Sequence, residues 1–316
     1  MSAPAGTLQP QLRWLGATRE RDAAAVAPAA GRGIDGLLLV APGAIWGCSF
    51  LFIAEALQAV GPLGLTFLRI LVGFATLAAV PAARRAVPRG AWPAIALLGV
   101  VWYAVPLSMF PFAEQRVSSA VTGMLNGAIP IFTALVEIAL LRRLPSRRLS
   151  AGLVVGALGT VLIAWPTLHE GASSLVGILL IAVALVCYSF APRIARPLQQ
   201  AHGALPVIWR AQLVGLVLTA PLGLPQSLDA TWSLRPLLCL LALGAFGTAV
   251  AYVLLTVGTG RLGPVRASGT AFLIPVVALA LGVLVRGERV SAAAIAGGAV
   301  CLYGAWMMRR AETVKA

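Results

Sequence analysis

The stretch Arg116–Trp165 returns, altered but recognisable, 145 residues later as Arg261–Arg310. The register sets Arg116 on Arg261, Ile129-Pro130 on Ile274-Pro275, Arg143 on Glu288, Gly152 on Gly297 and Gly159 on Gly304. Each copy runs as an apolar segment, a short charged turn, and a second apolar segment marked by glycine. That order reads as two helices joined by a tight connection. A chain made by duplication must pack two versions of one unit together, which narrows its fold before any single element is assigned.

Composition says what the helices sit in. Apolar residues fill 59% of the 316 positions and charged residues 11%, less than half of the roughly 25% charged content usual in soluble domains. Ten mostly apolar windows can be marked, near 36–57, 62–80, 91–112, 117–141, 149–165, 174–195, 205–224, 236–258, 262–285 and 290–308. Each spans roughly 30 Å of hydrocarbon as a helix. The expected fold is an all-α integral membrane protein of ten transmembrane helices. Five helices per copy is an odd number, so the second copy enters the bilayer upside down, giving two inverted five-helix repeats, a layout that places a site near the midplane. The expected organisation is a disordered cytoplasmic tail over 1–33, a first repeat over 34–168, a second over 169–310, and a short tail over 311–316.

The net charge of +14 does not mark a nucleic-acid partner, because the arginines are not gathered on one face or in one domain. They lie between helices. Arg84, Arg85, Arg89, Arg142, Arg143, Arg147, Arg148, Arg193, Arg196, Arg261 and Arg266, together with the basic residues of both termini, fall at one end and in alternate loops. The remaining loops hold only Arg116, Arg235, Arg286 and Arg289. The positive-inside rule then puts both termini in the cytoplasm. One lysine against 23 arginines, with abundant alanine, indicates GC-rich coding and favours a bacterial inner membrane.

Cys48, Cys187, Cys239 and Cys301 all fall within apolar windows without metal-ligand or redox spacing, so they read as packing residues and no cofactor is expected. The absence of a Gly-Lys-Ser/Thr phosphate loop excludes ATP hydrolysis by this chain. Lipid-modifying chemistry would need acids, bases or metal ligands converging at one depth. The two histidines, His169 and His202, sit at helix ends.

Polar residues at membrane depth are the informative ones. Trp46, Gly47 and Ser49 share one turn of the first helix, just after Pro42. Thr122 and Asn126 are four apart and lie on one helical face, one turn before Pro130. Tyr188 and Ser189 occupy the place of the Trp46 stretch in the second copy, ahead of Pro192; Thr248 and Tyr252 share a face; Thr270 and Phe272 precede Pro275. Proline frees carbonyls that can face a cavity in a membrane bundle. The expected cavity is bounded by Trp46, Ser49, Thr122, Asn126, Tyr188, Ser189, Tyr252, Thr270 and Phe272; an interhelical hydrogen bond is the competing reading of Asn126. Arg69 and Arg210 are intramembrane arginines at mirrored depths, for which charge pairs are expected. The candidate partners are Glu55 or Glu114 for Arg69, and Glu137 for Arg210.

In Trp46-Gly47-Cys48-Ser49-Phe50, Arg69, the Ser118-to-Pro130 segment and the Leu284-Val285-Arg286-Gly287-Glu288-Arg289-Val290 turn, the chain resembles the ten-helix EamA-type members of the drug/metabolite transporter superfamily, over residues 36–308. The resemblance implies a carrier that moves small metabolites, often exporting amino acids, by alternating access around a cavity between the repeats. Arg143 departs from it, since the first repeat of such proteins commonly carries an acidic residue in that turn. The resulting expectation is a secondary transporter with a small-molecule substrate and the lipid bilayer as its partners. Substrate identity, proton coupling and oligomeric state stay open. An intramembrane enzyme acting on lipids and a multidrug or amphiphile efflux carrier are the alternatives.

Overall fold

The computed structural model describes residues 32–141, 146–169, 172–262 and 268–313. Arg143 lies outside the described residues, as do residues 1–31 and 314–316 of the two expected tails. Among the described residues there is no strand, and the elements are helical throughout.

In chain order the helices are α1 (Arg32–Ala56), α2 (Pro62–Ala78), α3 (Trp92–Gly99), α4 (Val105–Glu114), α5 (Ser119–Asn126), α6 (Ile129–Leu141), α7 (Arg147–Leu168), α8 (Ala172–His202), α9 (Ala204–Leu228), α10 (Leu234–Ala242), α11 (Ala251–Leu262), α12 (Leu273–Arg286) and α13 (Ala292–Thr313). Among the described residues six helical stretches are long and apolar enough to cross a membrane: Gly33–Ala56, Arg89–Glu114, Arg147–Leu168, Ser174–His202, Ala204–Leu228 and Leu234–Thr259. A seventh is the pair α5 and α6 taken as one span bent by 43°. Pro62–Ala78, Thr270–Arg286 and Ala292–Met308 are shorter apolar helices. The eighth element outruns its sequence window, continuing through Pro192 and Pro197 to His202.

The helix ends have local causes. Pro62 opens α2, where its missing N–H costs nothing; the next two amides, of Leu63 and Gly64, donate to Oε1 of Gln226 at 3.0 and 3.1 Å. Ser118 and Ser146 cap α5 and α7, each accepting from the amide three residues on. Gly287 ends α12 in the left-handed region at φ 64°, and its amide and that of Glu288 return to the carbonyls of Val283 and Gly282. A side chain would strain that turn.

The fourth window is not the single straight helix that its sequence suggested. It breaks at Gly127 and Ala128, because Pro130 has no N–H to continue the ladder and its ring crowds the preceding turn. Its counterpart breaks as well, with a 3-10 turn over Ser268–Phe272 leading into α12 and Pro275. Two further irregularities match across the duplication. Val100–Ala104 joins α3 to α4, and Leu243–Val250 joins α10 to α11, both as π-helical turns.

Glycine sets the closest crossing. A Cβ on Gly159 would stand 2.2 Å from the Cys301 amide nitrogen, and one on Gly304 would stand 2.3 Å from that of Gly156, so α7 and α13 meet backbone to backbone. Small residues permit that approach where lipid offers no hydrophobic drive. Other crossings repeat in mirror fashion: Gly99 faces Val214 and Ala211 of α9, and Gly244 faces Val72 and the Arg69 carbonyl of α2. The outer surface is apolar, with Leu158, Leu218, Leu222 and Leu284 exposed on these helices, as hydrocarbon requires. Two buried clusters form inside, one around Phe50, Ile53, Met124 and Ile163, the other around Ile70, Leu98, Tyr103 and Ile208. Trp46 and Tyr188 pack against both, so the bundle's centre lies where the clusters meet.

Candidate functional site: a central cavity

A cavity of about 370 Å³ opens at that junction, within the range of small-molecule sites. Of the nine residues expected there, Trp46, Ser49, Asn126, Tyr188, Tyr252, Thr270 and Phe272 line it. Thr122 and Ser189 do not. Thr122 is fully buried and its hydroxyl donates to the Ser118 carbonyl at 2.9 Å; the lining on α5 stops at Asn126, one turn short of it. Ser189 is buried and donates to the Leu185 carbonyl at 2.7 Å.

The walls are aromatic and interlocked. Tyr252 meets Trp46, Trp102 and Tyr103 at centroid distances of 5.3, 5.0 and 5.2 Å, and Phe110 meets Phe50 and Tyr188 at 5.5 and 6.0 Å. Both π-helical turns reach this wall, through Trp102 and Gly247. Such turns leave carbonyls out of register with the helical ladder. Trp46 Nε1 donates to the Gly247 carbonyl at 3.0 Å, and Gln212 Nε2 donates to the Thr248 carbonyl at 2.5 Å. Near Pro42, the Thr270 hydroxyl donates to the Leu39 carbonyl at 2.5 Å. The irregular backbone is thus satisfied by side chains from other helices.

The charges are arranged differently from the sequence expectation. Glu55 is not bonded to Arg69; its carboxylate takes Arg286 Nη1 at 2.6 Å and Arg235 Nε at 2.8 Å, because both arginines end up beside the last turn of α1. Arg286 also reaches Glu288 at 3.1 Å. Glu288 in turn accepts from the Ser119 hydroxyl and from the amides of Ser119 and Ala120, the first turn of α5, where a helix dipole favours an anion. Glu137 pairs with Arg193 at 3.3 Å, not with Arg210. Arg210 instead donates to the carbonyls of Pro206 and Ala83 at 3.1 and 3.4 Å and lies over the Trp209 ring. It reaches toward the helix end rather than toward a carboxylate.

Arg69 has no ion pair among the described residues, Glu114 included. Its Nε donates to the Thr248 hydroxyl at 3.2 Å, and the side chain lines the cavity. Both carboxylate oxygens of Glu114 are buried without a hydrogen-bond partner among the described residues, as is Oδ1 of Asn126. Sequence reasoning missed Arg69 as a lining residue, along with Phe50, Trp102, Phe110, Thr133 and Glu137. Thr133 and Glu137 were findable, since they continue the Thr122 and Asn126 face at helical spacing beyond Pro130. Trp102 had no comparable signal. Among the described residues no group of three or more His, Cys, Asp or Glu is placed to hold a metal ion.

Long apolar helices around a central aromatic cavity define a multi-pass α-helical membrane protein. The chain belongs to the EamA-like transporter family, whose profile matches twice, over residues 35–165 and 175–310. It is 23% identical over 266 residues to an uncharacterized transporter of Archaeoglobus fulgidus, covering 84% of this chain and 95% of that one. An uncharacterized transporter of Bacillus subtilis is 27% identical, with 82% and 86% covered. A probable terminal-alkyne amino-acid exporter of Streptantibioticus cattleyicolor is 26% identical over 270 residues, with 84% and 90% covered. A crystal structure 20% identical in sequence shares the fold, with a TM-score of 0.63 over 90% of this chain and all of that one.

Proposed function

We propose that this protein is a secondary transporter of the bacterial inner membrane that exports amino acids or closely related metabolites by alternating access. The observation that carries the reading is the cavity itself, which draws its walls from both halves of the duplication and is apolar except for a few polar groups. In this reading the six long spans, the bent pair and the three shorter apolar helices are ten membrane crossings in two inverted repeats. The paired π-helical turns, the paired breaks before Pro130 and Pro275, and the crossings at Gly99 and Gly244 support it. The similarity to an amino-acid exporter supports the substrate class.

One end of the cavity is better closed than the other. The lining stops at Ile53 on α1, two residues short of Glu55, whose pairs with Arg235 and Arg286 tie α1 to α10 and α12. At the opposite end it extends to Glu137, Leu149 and Met308, near the arginine-rich loops. With those loops in the cytoplasm, this arrangement is an inward-facing state, and export requires the Glu55 cluster to open.

Counterflow in proteoliposomes tests the reading. Vesicles preloaded with an unlabelled amino acid should transiently accumulate the labelled form, with saturation. Flux that neither saturates nor exchanges would describe a channel and sink the proposal.

A further inference from the structure

Arg69 is 3% exposed, and a guanidinium carries five N–H donors. Its Nε is used by the Thr248 hydroxyl, which is itself held by donation to the Leu243 carbonyl at 3.1 Å. Its two terminal nitrogens make no hydrogen bond, and no carboxylate lies within 4.0 Å, among the described residues. A buried charge at membrane depth is ordinarily paired, since desolvation without a partner is costly. Here the side chain lines the central cavity.

The surroundings leave room for a partner. A Cβ built on Gly247 would lie 2.9 Å from Ser49 Oγ and 3.9 Å from Arg69 Nη2, so these three residues, all lining the cavity, meet at one corner of it. Trp46 fixes the corner's wall through the Gly247 carbonyl. Ser49 donates to the Ile45 carbonyl at 3.0 Å. A planar anion with two oxygens matches the guanidinium fork bidentately.

We propose that Arg69 is the carboxylate-binding residue of the cavity, and that the transported substrate is a small acid with an uncharged body seated against the Trp102, Phe110 and Tyr252 rings. This rests on the transporter reading above and deepens it. An amino acid enters with its carboxylate at the Arg69, Ser49 and Gly247 corner; a cation without a carboxylate has no group to place on Arg69.

The test uses purified full-length protein in detergent and follows its melting temperature. The probes are L-leucine, L-phenylalanine and L-threonine, the carboxamide of each, and tetraphenylphosphonium. Acids should stabilise the protein, with their carboxamides binding at least about 10-fold more weakly, the loss expected for a charge-assisted contact. Arg69→Gln should erase that difference, and Arg69→Lys should keep part of it. Acids and carboxamides that bind equally, or an Arg69→Gln protein that binds acids as the native chain does, would overturn the assignment while leaving amino-acid transport intact. A response to tetraphenylphosphonium alone, or to no probe, would overturn both. If Arg69→Gln fails to fold, Gly247→Ala replaces it: the added methyl, 2.9 Å from Ser49 Oγ, crowds the corner and should weaken acids several-fold while leaving their carboxamides less affected. Unaltered acid binding in that variant refutes the proposal.

Discussion

Glu55 Oε1 and Arg286 Nη1 meet at 2.6 Å across the ends of α1 and α12, with the glutamate side chain 5% exposed and the arginine 26%. Arg235 completes the site at 2.8 Å but is 63% exposed, so its share is screened and small. Truncating one partner of a fully buried pair costs about 3–5 kcal/mol; with both arginines partly solvated, Glu55→Gln should cost less than that. The main consequence is a shift of the conformational equilibrium. In a cysteine-free background, Ile53→Cys should react several-fold faster with an impermeant maleimide once Glu55→Gln is added. Equal rates would mean that this cluster does not hold the cavity shut.

Orientation can be read from the two ends of α7. Ser146 caps its start and His169 its end, and in the proposed orientation the first lies in the cytoplasm and the second outside. Single cysteines at these positions should separate cleanly in intact cells, with His169→Cys labelled by the impermeant maleimide and Ser146→Cys protected. The reverse pattern would invert the protein and turn the proposed export into import.

The crossing of α7 and α13 predicts a folding defect rather than a transport defect. Gly159→Leu forces side-chain atoms into a space where even a Cβ lies 2.2 Å from the Cys301 nitrogen and 2.7 Å from the Gly297 carbonyl. Overpacking of this kind costs about 1–3 kcal/mol and more where backbone must move. The yield of monodisperse protein and its melting temperature should both fall. Gly90→Ala, with nothing within 4 Å of the added carbon, should leave both unchanged.

What the sequence carried, and what it did not, follows from the range of each signal. Long apolar windows locate helices because bilayer thickness fixes their length, and the 145-residue repeat relates Pro130 to Pro275 directly. Helical spacing puts Thr122 on the face of Asn126 but says nothing of how far the cavity runs, and its lining on α5 stops at Asn126, one turn short of Thr122. The expected partners of Arg69 and Arg210 were chosen by depth alone, and depth says nothing of which helices are neighbours. Glu55 found Arg235 and Arg286 instead, and Glu137 found Arg193. The π-helical turns that bring Trp102 and Gly247 to the wall have no compositional mark, so that part of the site became visible only in three dimensions.

Asn126 is where the packing and binding readings of a membrane-depth amide part most clearly. It is 5% exposed and lines the cavity, yet it makes no side-chain hydrogen bond to another helix among the described residues, and its Oδ1 is buried without a partner. An interhelical bond at this position would contribute about 0.6–2 kcal/mol, and its loss would lower the melting temperature. Without one, Asn126→Ala removes an unsatisfied polar group and should leave yield and melting temperature nearly unchanged. The amide's donors and acceptor would instead be used by substrate, so the half-saturation concentration in counterflow should rise, by about 10-fold for one lost polar contact, or preference among amino acids should shift. A variant that transports with native kinetics, or that fails only because it unfolds, would remove Asn126 from the binding surface and move the substrate toward the Arg69 side of the cavity.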